Sequence, residues 1–185
     1  AVIQIGKTTF RGTVIARFDG THVLQRRCVI VGGGGGWGQS LAPKSYHNDA
    51  GVKARLIAED AAREAGETLG NFVPAAERVG AHYVRQKIQA AATLEDAIGD
   101  VPWFVDNNGI THVGARPQPP AASGYQLLAY DPRQRMATLA VADPSDIQIG
   151  SALADGMDAP QTVRELQFHV NEHEFRVVAW TGGTD

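Results

Sequence analysis

The sequence holds a single cysteine, Cys28. That excludes an intrachain disulfide and any thiolate metal cluster, and inside the apolar run Cys28-Val29-Ile30-Val31 a buried, inert thiol is expected. No window approaches the roughly 18 consecutive apolar residues of a membrane helix, so no membrane span is expected. The opening AVIQIGKTTF lacks the charged-then-apolar layout of a secretory leader, and none is expected. Positive charge is also short: a formal net charge of -3 argues against stable attachment to nucleic acid, which normally shows as a basic patch.

Catalytic signatures are missing as well. There is no HExxH, and His22, His47, His82 and His112 are dispersed. His169 and His173 flank a turn beside Glu172 and Glu174, which reads as solvated surface rather than a metal site. Ser40, Ser45, Ser123, Ser145 and Ser151 stand beside loop residues, none of them in a G-x-S-x-G elbow. Of the paired carboxylates, Glu59 and Asp60 diverge by about 100 degrees on a helix, and Asp143-Pro144-Ser145-Asp146 reads as a turn. No catalytic residue, metal or cofactor is therefore expected, and the chain reads as a non-enzyme. Two alternatives stand beside this reading: a peptidoglycan-cleaving enzyme using such carboxylates, and a nucleotide-binding domain using the glycines discussed next.

What the chain does have is glycine. Gly32 to Gly36 and Gly38 surround Trp37 after the strand-like run ending at Val31, and Gly33, Gly35 and Gly38 satisfy the dinucleotide spacing G-x-G-x-x-G. That fingerprint needs a helix opening at its last glycine, with an acidic residue on a following strand. Here only Gln39-Ser40-Leu41-Ala42 precede Pro43, which stops a helix and biases Ala42 away from helical geometry. No Gly-Lys-Ser/Thr follows either, so a bend is expected rather than a phosphate cradle.

With 185 residues, 43% of them hydrophobic, the chain suits one domain or two small ones. Val2 to Ile5, Thr8 to Phe18 and Thr21 to Val31 read as strands, with a hairpin turn at Asp19-Gly20. Asn48 or Asp49 caps a helix through Val52, Leu56, Ile57, Ala61 and Ala65 that stops at Gly66, and a second helix runs from Gln89 to Ile98 before Gly99. Strands return at Val101 to Val105 and Ile110 to Val113 around Asp106-Asn107-Asn108-Gly109. A Pro-rich corner or linker over 117–124 leads to Tyr125 to Tyr130, a turn at Asp131-Pro132-Arg133-Gln134, Arg135 to Val141, and a last hairpin turning at Asn171-Glu172. The alternation of Leu166, Phe168, Val170, Phe175 and Val177 with polar residues is that of half-buried strands. The expected class is α+β: antiparallel β-barrel elements, with residues 1–116 carrying a helical insertion at about 48–99 and residues 125–185 forming a small antiparallel barrel.

Three segments carry a resemblance. The stretch Trp103-Phe104-Val105-Asp106-Asn107-Asn108-Gly109-Ile110-Thr111-His112-Val113-Gly114-Ala115-Arg116, the helix Ala54 to Glu67 ending in Ala-Gly-Glu, and the closing Thr162-Val163-Arg164-Glu165-Leu166 with Arg176-Val177-Val178-Ala179-Trp180 resemble tail hub or baseplate proteins of bacteriophages. These are related to contractile-tail and type VI secretion spike hubs, and the likeness covers roughly residues 10 to 180. It implies a virion structural protein of the tail tip, made in the bacterial host cytoplasm. It implies a homo-oligomeric ring, a trimer or hexamer, contacting other tail tip, tube and baseplate proteins while DNA passes through the lumen. The interface residues then expected are Gly34, Gly36, Trp37 and Gly38 as a docking loop with Trp37 its anchor, the turn Asn107, Asn108 and Gly109, and the strand ending in Trp180.

Overall fold

Turn-forming residues break the apolar runs into short pieces, and the chain folds mostly as strands, with two α-helices, in a mixed α+β architecture. The computed structural model describes residues 1–19, 26–170 and 175–182, with the side chains of 16–19 and 26–29, Cys28 among them, outside the described set. It divides into two compact units, Ala1–Ile3 with Thr9–Arg116 and Gln4–Thr8 with Pro117–Asp185.

At the start of the chain, β1 (Val2–Ile5), β2 (Thr8–Asp19) and β3 (Arg26–Gly32) form a ribbon in the order β1-β2-β3. The turn expected at Asp19-Gly20 reaches into residues 20–25, outside the described ones. After the glycine run come β4 (Ser40–Leu41), β5 (Lys44–His47) and α1 (Ala54–Ala65). The helix starts at Lys53 with no side-chain cap. Asn48, expected as a cap, instead closes its own small turn, its Oδ1 accepting the Ala50 N–H at 2.9 Å. An Asn side chain that finds a local backbone donor competes with capping. Gly66 ends α1 in the left-handed conformation, φ 72°.

The expected helical insertion is only partly helical. Between α1 and α2 (Ala90–Ile98) run β6 (Leu69–Phe72), β7 (His82–Arg85) and β8 (Ile88–Gln89), and β9 (Trp103–Val105) and β10 (Thr111–Val113) follow. β4 pairs with β8, β5 with β7, and β10 lies between β6, parallel, and β9, antiparallel. Strands of two to four residues hold too few periods to register as alternation, and their partners are distant in sequence. The core beneath them joins Ala58, Ala61, Ala62 and Ala65 of α1 to Ala90, Leu94 and Ile98 of α2, with Trp37, Leu41 and Val113. Alanines at the crossing let the two helices approach closely.

The second unit is one antiparallel sheet of β11 (Tyr125–Asp131), β12 (Met136–Val141), β13 (Ala152–Leu153), β14 (Gln161–Val170) and β15 (Phe175–Gly182), in the order β11-β12-β15-β14-β13. Alternate residues Ala137, Leu139 and Val141 of β12 and Val177 and Ala179 of β15 are buried together. The turn after β11 forms as expected, Asp131 Oδ1 accepting the N–H groups of Arg133 and Gln134 at 2.8 and 3.2 Å. That expected at Asn171-Glu172 lies outside the described residues. The sheet curls on itself: the Ala122 N–H donates to the Ala152 carbonyl at 3.0 Å, and the Tyr125 hydroxyl accepts the N–H groups of Ala154 and Asp155 at 3.0 and 2.8 Å. Strand pairing nevertheless begins at β11 and ends at β13, a half-barrel. Among the described residues no helix is long and apolar enough to cross a membrane.

Candidate functional site

The glycine run and the Asp106–Gly109 turn, far apart in sequence, lie side by side in the first unit. Arg11 of β2 donates its N–H to the Asn107 carbonyl at 2.8 Å, and a Cβ built on Gly109 would stand 3.0 Å from Gly33 Cα. Six of the expected interface residues therefore gather at one place, with Gly38 at the end of the same loop. Trp180 belongs to β15 in the other unit, half-buried and paired with Met136 and Glu165.

Within the run, Gly33 and Gly35 take positive φ, 74° and 75°, and the Gly34 and Gly36 amides point at one carboxylate. Gly34 donates to Glu67 Oε2 at 2.8 Å and Gly36 to Glu67 Oε1 at 2.7 Å. Glu67 is itself only 8% exposed. The concavity of amides that could have cradled a phosphate thus holds an anion supplied by the chain. Nor does the required helix follow, since Gln39 turns back to Gly36 at 2.8 Å and β4 begins. The run presses on the end of α1 so closely that a Cβ at Gly36 would fall 1.7 Å from the Ala65 carbonyl oxygen. It is a bend, as expected, and a clamped one.

Trp37 corrects the expectation most directly. It is 8% exposed, its indole N–H donates to Thr111 Oγ1 at 2.9 Å, and its ring meets Trp103 at 5.6 Å between centroids. A large ring next to a tight bend, with a polar tip and a buried acceptor, lowers the free energy most inside the core. Trp37 therefore braces the loop from beneath and offers no docking anchor. Gly38 is exposed, with nothing within 4 Å of a Cβ built on it.

The turn is equally fixed. Asp106 Oδ1 accepts the N–H groups of Asn108 at 2.9 Å and Ile110 at 2.8 Å, while its Oδ2 lies 3.3 Å from His112 Nε2. His112 Nδ1 accepts the Asn71 N–H at 3.1 Å, so in the neutral ring the proton sits on Nε2 and is given to Asp106. Burial pushes the Asp106 carboxyl up, but the bonds from Ile110, His112 and Asn108 outweigh it and hold it below the usual carboxylate range. Asn107 and Asn108 are left exposed at the tip.

A second cluster gave no signal in the sequence. Asp60, buried on α1, pairs with Lys44 and Arg63. Its carboxyl is pushed up by burial and pulled further down by Lys44, so it stays ionised. Arg85, 2% exposed, donates to Glu64 at 2.6 Å and to the Ala42 carbonyl at 3.0 Å. Glu59 points outward to Arg55, 2.7 Å away, so it does diverge from Asp60. Asp143 caps a short 3-10 turn, its Oδ1 accepting the N–H and hydroxyl of Ser145 at 2.9 and 2.6 Å, which lowers its carboxyl. Two histidines read as dispersed meet across the paired strands β5 and β7: His47 and His82 stack at 4.3 Å between centroids. The expectation at His169 and His173 reaches into residues 171–174, outside the described ones. Among the described residues no group of three or more metal-ligating side chains converges.

No protein-family model matches this sequence, and no curated protein matches it significantly.

Proposed function

We propose that the chain is a structural subunit of a bacteriophage tail tip or baseplate hub, one copy of a ring around the tail axis, acting by assembly and not by catalysis. The observation that carries this is the half-barrel: its sheet curls until Ala122 meets Ala152 yet keeps two strand edges, at β11 and β13. An unpaired edge presents a row of backbone donors and acceptors that a strand of a neighbour can pair, and closing a barrel across subunits removes that edge. The segments that resemble hub proteins are α1 with its glycine stop, the β9–β10 hairpin and β14–β15, the framework of both units. The exposed Asn107-Asn108 tip beside the clamped glycine bend then serves as a rigid contact surface, and the net charge of -3 suits a lumen through which DNA slides without sticking.

The test is the mass of the purified protein by light scattering, followed by negative-stain images. A trimer or hexamer with an axial hole is the expected result. A monomer at every concentration that also fails to join purified tail-tube and baseplate proteins overturns the reading.

A further inference from the structure

At one end of the β5–β7 ribbon, His47 and His82 occupy directly opposed positions, and their Nδ1 atoms lie 3.0 Å apart. On the far side of the His47 ring, Nε2 lies 3.2 Å from Asp49 Oδ1. An ionised carboxylate only accepts, so this contact places the His47 proton on Nε2 and leaves Nδ1 unprotonated, 3.0 Å from Nδ1 of His82 in rings that stack at 4.3 Å between centroids. A metal-ligating imidazole shows that same arrangement, its second nitrogen bonded to a carboxylate that fixes tautomer and ring orientation.

Spacing agrees. Imidazole nitrogens sit about 2.0–2.1 Å from a zinc-like ion, so two of them on adjacent positions of one ion stand roughly 2.9–3.4 Å apart. The observed separation lies in that interval. Both rings are exposed, so an ion can reach them without opening the fold.

We propose that His47 and His82 form a two-imidazole site for a divalent transition-metal ion of the zinc–copper end of the series, with Asp49 as its orienting carboxylate. The protein supplies two nitrogen donors and water completes the shell, which is why no larger ligand cluster is needed. Neutral imidazole suits zinc, nickel and copper, and the ordinary affinity order places copper first. Binding spans two strands that pair only with each other, so it adds a clip to a ribbon already held to α1 through Lys44 and Arg85. The site is independent of the ring assembly proposed above.

The experiment titrates EDTA-stripped protein with zinc chloride and, separately, copper(II) chloride by calorimetry, reading copper also by its visible absorption. One equivalent is expected to bind, with copper tighter than zinc. His47→Asn and His82→Asn should each abolish it while far-ultraviolet circular dichroism and the metal-free melting temperature stay put. Asp49→Asn should weaken it about 10–100-fold, the usual effect of removing an orienting partner. Absence of binding overturns the proposal, leaving a proton shared between the rings as the occupant. Binding that survives both histidine substitutions overturns it too, by placing the ion elsewhere.

Discussion

The two units solve the problem of a small core differently. In the second, β12, β14 and β15 are six to ten residues long, and alternate apolar side chains on them make the core. In the first, several strands are two to four residues long, and among the described residues the buried charged side chains, Asp60, Glu67 and Arg85, all belong to it. Where a strand is too short to hold its register by alternation, a buried charge bonded to backbone holds the chain instead. Arg85 grips the Ala42 carbonyl and Glu67 grips the Gly34 and Gly36 amides. Register in one unit is thus hydrophobic, and in the other it is partly electrostatic.

The strongest way to break this comparison is to empty each core in turn. Trp37→Ala is expected to destabilise the first unit by about 3–5 kcal/mol, and Leu139→Ala the second by about 2–5 kcal/mol. Trp37 and Trp103 report on the first unit and Trp180 on the second. Denaturant unfolding of a Trp180→Phe background isolates the first, and of a background carrying Trp37→Phe and Trp103→Phe the second, Trp37→Ala then taking the place of Trp37→Phe. Each core substitution should move mainly the transition of its own unit. Transitions that shift together would show a single cooperative block.

Next in size is Glu67→Gln. Glutamine has one acceptor oxygen where the carboxylate has two, so either the Gly34 or the Gly36 amide loses its buried partner, at about 1–3 kcal/mol. Denaturant midpoints of the first unit measure it. No shift would mean that water replaces the carboxylate and that the bend holds without a clamp.

Acid should act on both units and more on the first, which holds two depressed carboxyls, Asp60 and Asp106, against Asp143 in the second. Asp60 and Asp106 are held below the usual carboxylate range in the folded chain, Asp60 against its burial by Lys44 and Asp106 by bonds from Ile110, His112 and Asn108. A carboxyl depressed on folding contributes stability that is present above its unfolded value, about 3.9, and lost as pH falls through the folded one. The first unit should therefore lose stability below about pH 4, and Asp60→Asn should flatten that dependence at the expense of stability at neutral pH. Tryptophan emission against pH reads both. Equal loss in Trp180 emission would put the sensitive groups elsewhere.

How much of this was legible in sequence follows from range. Helix α1 with its stop at Gly66, α2 with Gly99, and the Asp106 and Asp131 turns were readable because each depends on neighbours within four residues. The β4–β8 and β5–β7 pairs, the Glu67 clamp and the meeting of His47 with His82 were not, because their partners lie 31 to 49 residues away and no local pattern announces them. Trp37 was misplaced for the same reason. Its neighbours in sequence are glycines, which suggest a loose arm, whereas its neighbours in space are Thr111 and Trp103.

The finest test ends on the smallest effect, because the glycines of one region should respond in three grades. Gly36→Ala collides with the Ala65 carbonyl and should unfold the loop's contact with α1. Gly66→Ala meets nothing within 4 Å but must hold φ 72°, so only backbone strain remains, at about 1–2 kcal/mol. Gly38→Ala has open space and no positive φ, and should stay within about 0.5 kcal/mol of the parent. A phosphate-cradling loop would grade them by ligand affinity, whereas a clamped bend grades them by stability alone. Melting temperatures of the three variants, taken with and without NAD or ATP, decide between the two: a nucleotide-dependent shift that Gly38→Ala removes would restore the cradle.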